Sequence, residues 1–470
     1  MARFNKRRKV KLGLLGSGIV GEAIQDIFFA GKSFEKIGID LEISKIYTRH
    51  PKKKKWFPSH RSLFTDQAEE VINHHETDII IEVLGFQEEK ELNVFKEYFI
   101  QSFKNGKPVV TSDKAVLAKF GKELWAAAER YGQELRFEAT VGGGIPIIRS
   151  LTEGFAAEEP GAVYGIINGT CNYILSEMKK SGKSYSEALG EAQALGFAES
   201  NPKSDTNGSD AEAKLILLTA VTFGLHTEPG SILRKGIEEI QAIDFLYADR
   251  KGRATIKQLA VAKAEGDSIQ VFVSPVLVPH DHFLSTIDGP TNAIFFKGKR
   301  SGGDPDTDQL QSRDWDYVLV GPGAGGGPTA VAVMSDVCEL ASGSTGNQPG
   351  LRSLVSPGTF TVQSEDSIAS DFYVRFLVKD RAGIVGEICQ TFGKAGINIA
   401  EIWQLNHSID EKQSLAKSYH LAEKPKEILP FGITLEQATV GQIKKTLEII
   451  RAKDYILVDP LWLPIWNIKK

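Results

Sequence analysis

Cysteine is scarce here: only Cys171, Cys338 and Cys389 occur among 470 residues. An odd, widely spaced set supports neither a disulfide framework nor a C-x-x-C metal site, and it suits a reducing compartment, so a cytoplasmic location is expected. Also missing is any apolar run near the ~20 residues needed to cross a bilayer. The stretch after the basic start of the chain, where a signal peptide would carry its apolar core, is broken by Gly13, Gly16, Gly18 and Gly21. No membrane partner is expected, and residues 1–9 read as a flexible cationic tail. The net charge of −4 lacks the basic excess that phosphate neutralisation needs, which argues against a nucleic-acid partner. No H-E-x-x-H, Ser–His–Asp order or paired-cysteine signal is present, so hydrolysis and metal catalysis have little support.

What is present is ordinary globular composition, 41% hydrophobic and 25% charged, in a chain long enough for about three domains. Glycine is in excess, with 45 copies against a usual ~7%. From Val10 to about Val141, apolar strands (Val10–Leu15, Leu41–Tyr47, Asp78–Leu84, Pro108–Thr111, Leu135–Ala139) alternate with helical spacings. Those spacings include Ile19, Ala23, Ile27 and Ala30; Val94, Tyr98 and Phe99; and Leu117, Leu124 and Ala128. This predicts an α/β Rossmann-type, parallel doubly wound sheet over 1–141, completed by 317–340. Residues 142–316 read as an α+β catalytic and oligomerisation domain. Its helices are expected at Asn172–Lys180, Tyr185–Leu195 and Asp210–Phe223, and its strands at Val163–Ile167, Ile269–Val278 and Asn292–Phe296, with a further strand at Tyr317–Val320 just beyond it. A Ser/Gly/Pro/Thr-rich linker covers 341–370, with a short strand possible at Thr359–Val362. Residues 371–470 spell β-α-β-β-α-β (Phe372–Val378, Val385–Ala395, Asn398–Leu405, Phe431–Leu435, Gln442–Arg451, Tyr455–Val458), the order of a ferredoxin-like domain.

Gly16-Ser17-Gly18-Ile19-Val20-Gly21 is G-x-G-x-x-G between a strand and a helix. The first glycine permits the turn, the second lets backbone approach a pyrophosphate, and the third lets helix and strand pack closely, while Ile19 and Val20 open the helix whose N-terminus favours an anion. Where an NAD site usually places an acid for the ribose, this chain has Thr48-Arg49-His50 and then Lys52 to Lys55. Arg49 could pair a 2′-phosphate, which favours NADP over NAD; the lysine run reads equally well as a solvated loop.

Lys114, after the fourth strand, falls on the same carboxyl edge, although a lysine at a helix start is otherwise surface decoration. Asp210 and Lys214 are an i, i+4 pair. On the surface that pair is worth a few tenths of a kcal/mol, roughly. If apolar neighbours bury it, Lys214 becomes a proton-transfer group. Glu199 and Asp205 are carboxylates in an irregular segment, suited to hold an ammonium. His280 and His282 share a strand face but lack further ligands and read as structural.

Together these residues resemble the homoserine dehydrogenase family. The match runs through Gly13–Gly21, Glu82–Gly85, Val110–Lys114, Ala139–Ile148, Gly165–Leu175 (G-I-I-N-G-T-C-N-Y-I-L), Gly196–Leu217 and Gly321–Asp336. The resemblance implies reversible NAD(P)H-dependent reduction of L-aspartate 4-semialdehyde to L-homoserine, in threonine, methionine and isoleucine biosynthesis. It implies that Lys114 and Lys214 handle the proton, Asp210 supports Lys214, Glu199 and Asp205 bind the substrate amino group, and Lys114 also meets the cofactor. A monovalent cation such as Na+ on the backbone carbonyls of Glu138, Val141, Gly143 and Ile145 is implied as well. Two positions depart from the family pattern: Asp113 stands where Asn is usual, and Asn201 interrupts E-x-D-P. The C-terminal domain resembles an ACT domain through Val378–Ile384 and Ala395–Ile399, which implies a threonine effector; a domain that only dimerises is the alternative. A homodimer or homotetramer is expected, in the monofunctional form, since the residues before Val10 leave no room for a fused kinase. The rival readings are a non-catalytic sensor of NADP and amino acids, and a semialdehyde dehydrogenase using a cysteine thiolate, for which Cys171 lies in the wrong motif.

Overall fold

The structure, a computed structural model, describes residues 8–29, 38–85, 89–299, 315–343 and 360–466. The chain divides into two compact units, one of Met1–Val163, Ala213–Ser231 and Ile294–Phe360, the other of Tyr164–Glu212, Ile232–Ala293 and Thr361–Lys470. Each is assembled from separated stretches, which linear boundaries at 141 and 316 do not express.

The first unit is built on β1 (Arg8–Leu15), β2 (Ile39–Tyr47), β3 (Phe64–Thr65), β4 (Ile79–Glu82), β5 (Val109–Thr111) and β6 (Leu135–Arg136). They form a parallel sheet in the order β3-β2-β1-β4-β5-β6. That order is the doubly wound dinucleotide arrangement, whose strand order reverses between β1 and β4 and leaves a crevice at their carboxyl ends. Arg8 and Lys9 belong to β1, so the expected cationic tail is shorter than residues 1–9, and its remainder lies outside the described residues. The sixth strand stops at Arg136, because Glu138–Thr140 turns into a 3-10 helix.

Helical spacing alone places two faces only in part: Ala23, Ile27 and Phe99 do meet the core, but Ile19 and Val94 do not. In the helix Glu89–Lys104 the inward residues are Leu92, Phe95, Phe99 and Phe103, while Val94 is exposed. In the helix Ile19–Phe29, Ile24 is the fully buried aliphatic and Ile19 is 80% exposed; Ala30 lies outside the described residues. The helix Gly326–Ser342 packs on Ile19–Phe29 and puts Ala330, Val333, Met334 and Val337 into the same core as Leu12, Leu14 and Ile81. Residues far along the chain thus complete the dinucleotide layer.

Further strands are β7 (Glu159–Ile166), β8 (Leu233–Arg234), β9 (Ala254–Glu265), β10 (Ser268–Pro279), β11 (Thr291–Lys299), β12 (Trp315–Pro322), β13 (Thr361–Val362), β14 (Ala369–Lys379), β15 (Ile399–Trp403), β16 (Ile428–Thr439) and β17 (Ile456–Ile465). In the first unit β12, β11 and β7 lie side by side; the second unit carries β9-β10-β17-β14-β16-β15 in that order. Within this set β17-β14-β16-β15 is antiparallel and, with the helices Ile384–Lys394 and Val440–Arg451, has the split βαβ succession. An additional helix, Ile409–Ser418, fills the connection before β16. The anticipated linker is structured at its end: β13 pairs with β10, and Ala369 and Ser370 already belong to β14. Residues 344–359 of it lie outside the described residues.

Candidate active site

The glycine turn shows three different steric needs. Gly16 has φ +115°, and a Cβ there would lie 2.5 Å from the Val83 carbonyl oxygen. A Cβ on Gly21 would lie 2.3 Å from the Gly16 carbonyl oxygen, so the helix can approach the strand only without one. A Cβ on Gly18 would meet nothing within 4 Å, so this backbone faces open space. Beside it Ile19 and Val20 begin the helix, and exposed Ile19 comes close enough to Gly326 that a Cβ there would lie 2.8 Å from its side chain. An anion-receptive helix start with a vacant approach is what a pyrophosphate requires, and the turn fits one.

Arg49 follows β2 at the same edge. It is exposed and its guanidinium reaches Glu91 at 3.3 Å, while Lys54 pairs with Glu22 and Lys55 with Asp26. Two of the lysines in the run are thus tied to the helix of the glycine turn.

At the ends of β4 and β5 sits a group of carboxyls that sequence reading left without a role. Glu82 is fully buried; it accepts the Thr111 hydroxyl at 2.6 Å and the Leu84 amide at 2.8 Å. Burial, then the neighbouring Asp113 charge, pushes its pKa up to about 8. Asp113 caps the helix Lys114–Arg130 by accepting the Ala115 amide at 2.9 Å and the Val116 amide at 3.3 Å. Burial raises its pKa too, against the opposing pull of Lys114. Lys114 itself is half-buried at the first position of that helix.

Lys214 lies in the helix Ser209–Phe223, one turn after Asp210, and its burial follows expectation: the residue is 8% exposed between buried Ala211 and Leu215. In the second unit the Asn168 amide donates to Asp205 at 2.8 Å and to Asp210 at 2.9 Å. Its own carbonyl oxygen caps the helix Gly169–Ser181 by accepting the Cys171 amide at 2.8 Å. One asparagine therefore unites two of the expected carboxylates. Glu199 is not part of that set of bonds; it is exposed, and its backbone carbonyl accepts Gln193 at 3.0 Å. The signal for Asn168 was its place between a strand and the G-T that opens a helix.

The loop proposed for a cation turns through Gly142 and Gly143, both at positive φ. A Cβ on Gly143 would lie 2.7 Å from the Gly323 carbonyl carbon, and the Ile145 carbonyl already accepts the Ile147 amide at 2.8 Å. The Glu138 carboxylate is engaged by the Ile148 and Arg149 amides, both at 2.8 Å. Among the described residues no cluster of three or more His, Cys, Asp or Glu could hold a metal ion. His280 and His282 are not on a strand. They follow β10 in a turn, where His280 contacts Asp249 at 3.0 Å and His282 accepts the Leu284 amide at 3.1 Å. Cys171 is buried with its thiol 3.2 Å from the Asp205 carbonyl. No helix among the described residues is long and apolar enough to cross a membrane.

A glycine cradle at the switch point of a 3-2-1-4-5-6 sheet, with lysines at its edge and on an apolar helix, defines an NAD(P)-dependent oxidoreductase. Family models agree at a finer level: residues 146–338 match homoserine dehydrogenase, and residues 16–138 match the homoserine dehydrogenase NAD binding domain. The homoserine dehydrogenase of Bacillus subtilis is 33% identical over 405 residues, 85% of this chain and 88% of its own. The chain belongs to the homoserine dehydrogenase family. Among solved structures, a homoserine dehydrogenase from Thiobacillus denitrificans superposes with a TM-score of 0.81 at 27% identity, covering 98% of both chains. A hyperthermophilic archaeal homoserine dehydrogenase in complex with NADPH matches with a TM-score of 0.56 at 26% identity, over 72% of this chain and 99% of that one.

Proposed function

We propose that this dehydrogenase reduces L-aspartate 4-semialdehyde to L-homoserine with NADPH as the preferred cofactor, the reverse reaction using the same groups. Gly16, Gly18 and Gly21, with Ile19 and Val20, receive the pyrophosphate, and Arg49 pairs the 2′-phosphate after leaving Glu91. The NADPH complex of the archaeal relative supports that cofactor. When bound, the nicotinamide supplies the hydride.

The chain's own residues supply the rest. Negative charge gathers on the aldehyde oxygen as its carbon is reduced, and an ammonium beside it both stabilises that charge and delivers the proton. Lys214 and Lys114 take these roles. Asp210, oriented by Asn168, supports Lys214 one turn on, and Asp205, bound to the same amide, holds the substrate ammonium with Glu199. The burial of Lys214 carries this reading, since a lysine only 8% exposed on an apolar helix is rare and such placement is typical of a proton-handling group. Initial rates with homoserine and with aspartate semialdehyde, each with NADP(H) and NAD(H), test it; turnover absent with both substrates overturns it.

A monovalent cation on the carbonyls of Glu138, Val141, Gly143 and Ile145 would brace the glycine loop. Residues 371–470 are read as an ACT domain that receives threonine, a reading supported by the split βαβ order and by Gly383, at φ +91°, which begins the helix Ile384–Lys394. A homo-oligomer working in the cytoplasm, in threonine, methionine and isoleucine biosynthesis, completes the proposal.

A further inference from the structure

Asp113 is buried, and the two oxygens of its carboxyl are treated very differently. Oδ1 accepts two backbone amides of the helix it caps, whereas Oδ2 is sealed from solvent and has no hydrogen-bond partner. Both oxygens of the nearby Glu82 carboxyl accept donors, from Leu84 and Thr111. The Thr111 hydroxyl stands between the two acids: it accepts the Asp113 amide at 2.8 Å and donates to Glu82 at 2.6 Å. A bare carboxylate oxygen is costly in a dry site, whereas a hydroxyl there costs far less. Two like charges in one such site cannot both persist, as paired carboxyls in general show.

We propose that Glu82 and Asp113 share one proton, seated on Asp113 Oδ2, and act as positioning residues that hold the turn Thr111–Lys114, and through it Lys114, at the cofactor edge. Loss of that proton sets two negative charges against each other across Thr111 and loosens the turn that starts the helix. The ionisable groups acting on the pair from the elements packed around it are Lys114, whose charge opposes the rise at Asp113, and each acid on the other. Burial raises both acids, and because one proton serves the pair, the value of about 8 at Glu82 marks where the pair as a whole gives it up, in the alkaline range. The inference rests on the proposed role of Lys114 at the cofactor.

NADPH binding followed by fluorescence from about pH 7 to about pH 9.5 tests it, on the whole enzyme and on the variants Asp113→Asn and Glu82→Gln. Each variant keeps the shape of the site and Lys114 but leaves a single ionisable carboxyl. The enzyme is expected to lose affinity about tenfold across this range, which is about one pK unit of coupling, and each variant less than about twofold. Separately, the infrared band of a protonated carboxylic acid should be present in the enzyme at neutral pH and missing from Asp113→Asn. Affinity that is flat in the enzyme, or that falls in parallel in both variants, overturns the positioning role, and an unchanged infrared band overturns the shared proton. Absence of NADPH binding at every pH overturns the cofactor reading instead, and the infrared result still decides the proton.

Discussion

Asp244 and Arg375 form an ion pair in which both side chains are withdrawn from water, 0% and 2% exposed. Arg375 also donates to the Tyr419 hydroxyl and to the Glu239 carbonyl at 3.3 Å, and the Tyr373 hydroxyl donates to Asp244 at 2.9 Å. The pair joins β14 to the helix Ala242–Arg250. Removing one partner strands a buried charge, so Arg375→Ala should lower stability by about 3–5 kcal/mol. Replacing both, as Asp244→Leu with Arg375→Met, should recover much of that loss. Urea denaturation of the two variants checks this, and equal losses would exclude a stranded charge as the cause.

Lys214→Ala should reduce kcat by about 10²–10⁴-fold, the usual range for a general acid–base group, while NADPH affinity stays near that of the parent. Single-turnover rates and cofactor titration separate the two. A kcat within a few-fold of the parent removes Lys214 from proton transfer.

Arg49→Ala should raise the KM for NADPH by about 10–100-fold, the worth of a charge-assisted hydrogen bond, and leave that for NADH nearly unchanged. Equal effects on the two cofactors would mean that Arg49 does not read the 2′-phosphate.

Gly21→Ala brings a methyl group to 2.3 Å from the Gly16 carbonyl oxygen, which is backbone and cannot turn aside. A loss of about 1–3 kcal/mol is expected, with weakened cofactor binding. Gly18→Ala meets no neighbour within 4 Å, so it should leave stability nearly intact and reduce cofactor affinity alone. Thermal melting with and without NADPH distinguishes the two variants.

Lys235 donates to the Trp462 carbonyl at 2.6 Å and lies 3.7 Å from that ring's centroid. Burial of its ammonium pushes the pKa down to about 7 from an ordinary 10.5. Between those values the unfolded chain binds a proton that the folded one has released, so this group makes stability rise as pH rises from about 7 to about 10.5. Lys235→Met should remove that slope and stabilise the protein near neutral pH; melting curves across the range would contradict this if both proteins kept the same slope.

The dinucleotide layer was legible because its signals are local: a strand, a glycine turn and a helix are neighbours in sequence. The task of Asn168 is not local, because its partners Asp205 and Asp210 lie 37 and 42 residues away. Glu82 and Asp113 likewise become a pair only when β4 and β5 lie side by side. β9 escaped notice because Ala254–Ala262 is buried on both faces and shows no alternation, even though it carries Lys257 and Gln258. The last strand reads as ending at Val458, yet β17 runs to Ile465 through Pro460 and Pro464, with a register shift opposite Arg375 and Leu377 that accommodates the first proline. Lys214 was readable because its helix is apolar on nearly every side.

β17 follows β10, β14 and β16 in sequence, yet it lies between β10 and β14 rather than at a margin, with Leu277 opposite Ile465. Until β17 has been made, the flank of β14 away from β16 stays open, and such a flank invites pairing with other nascent chains. The six-stranded layer has all its strands paired by Arg136 and waits only for the helix Gly326–Ser342 to cover its core. An unpaired β14 flank is thus the place where an incomplete chain is most open to misassembly, and where a chaperone that covers strand edges should act.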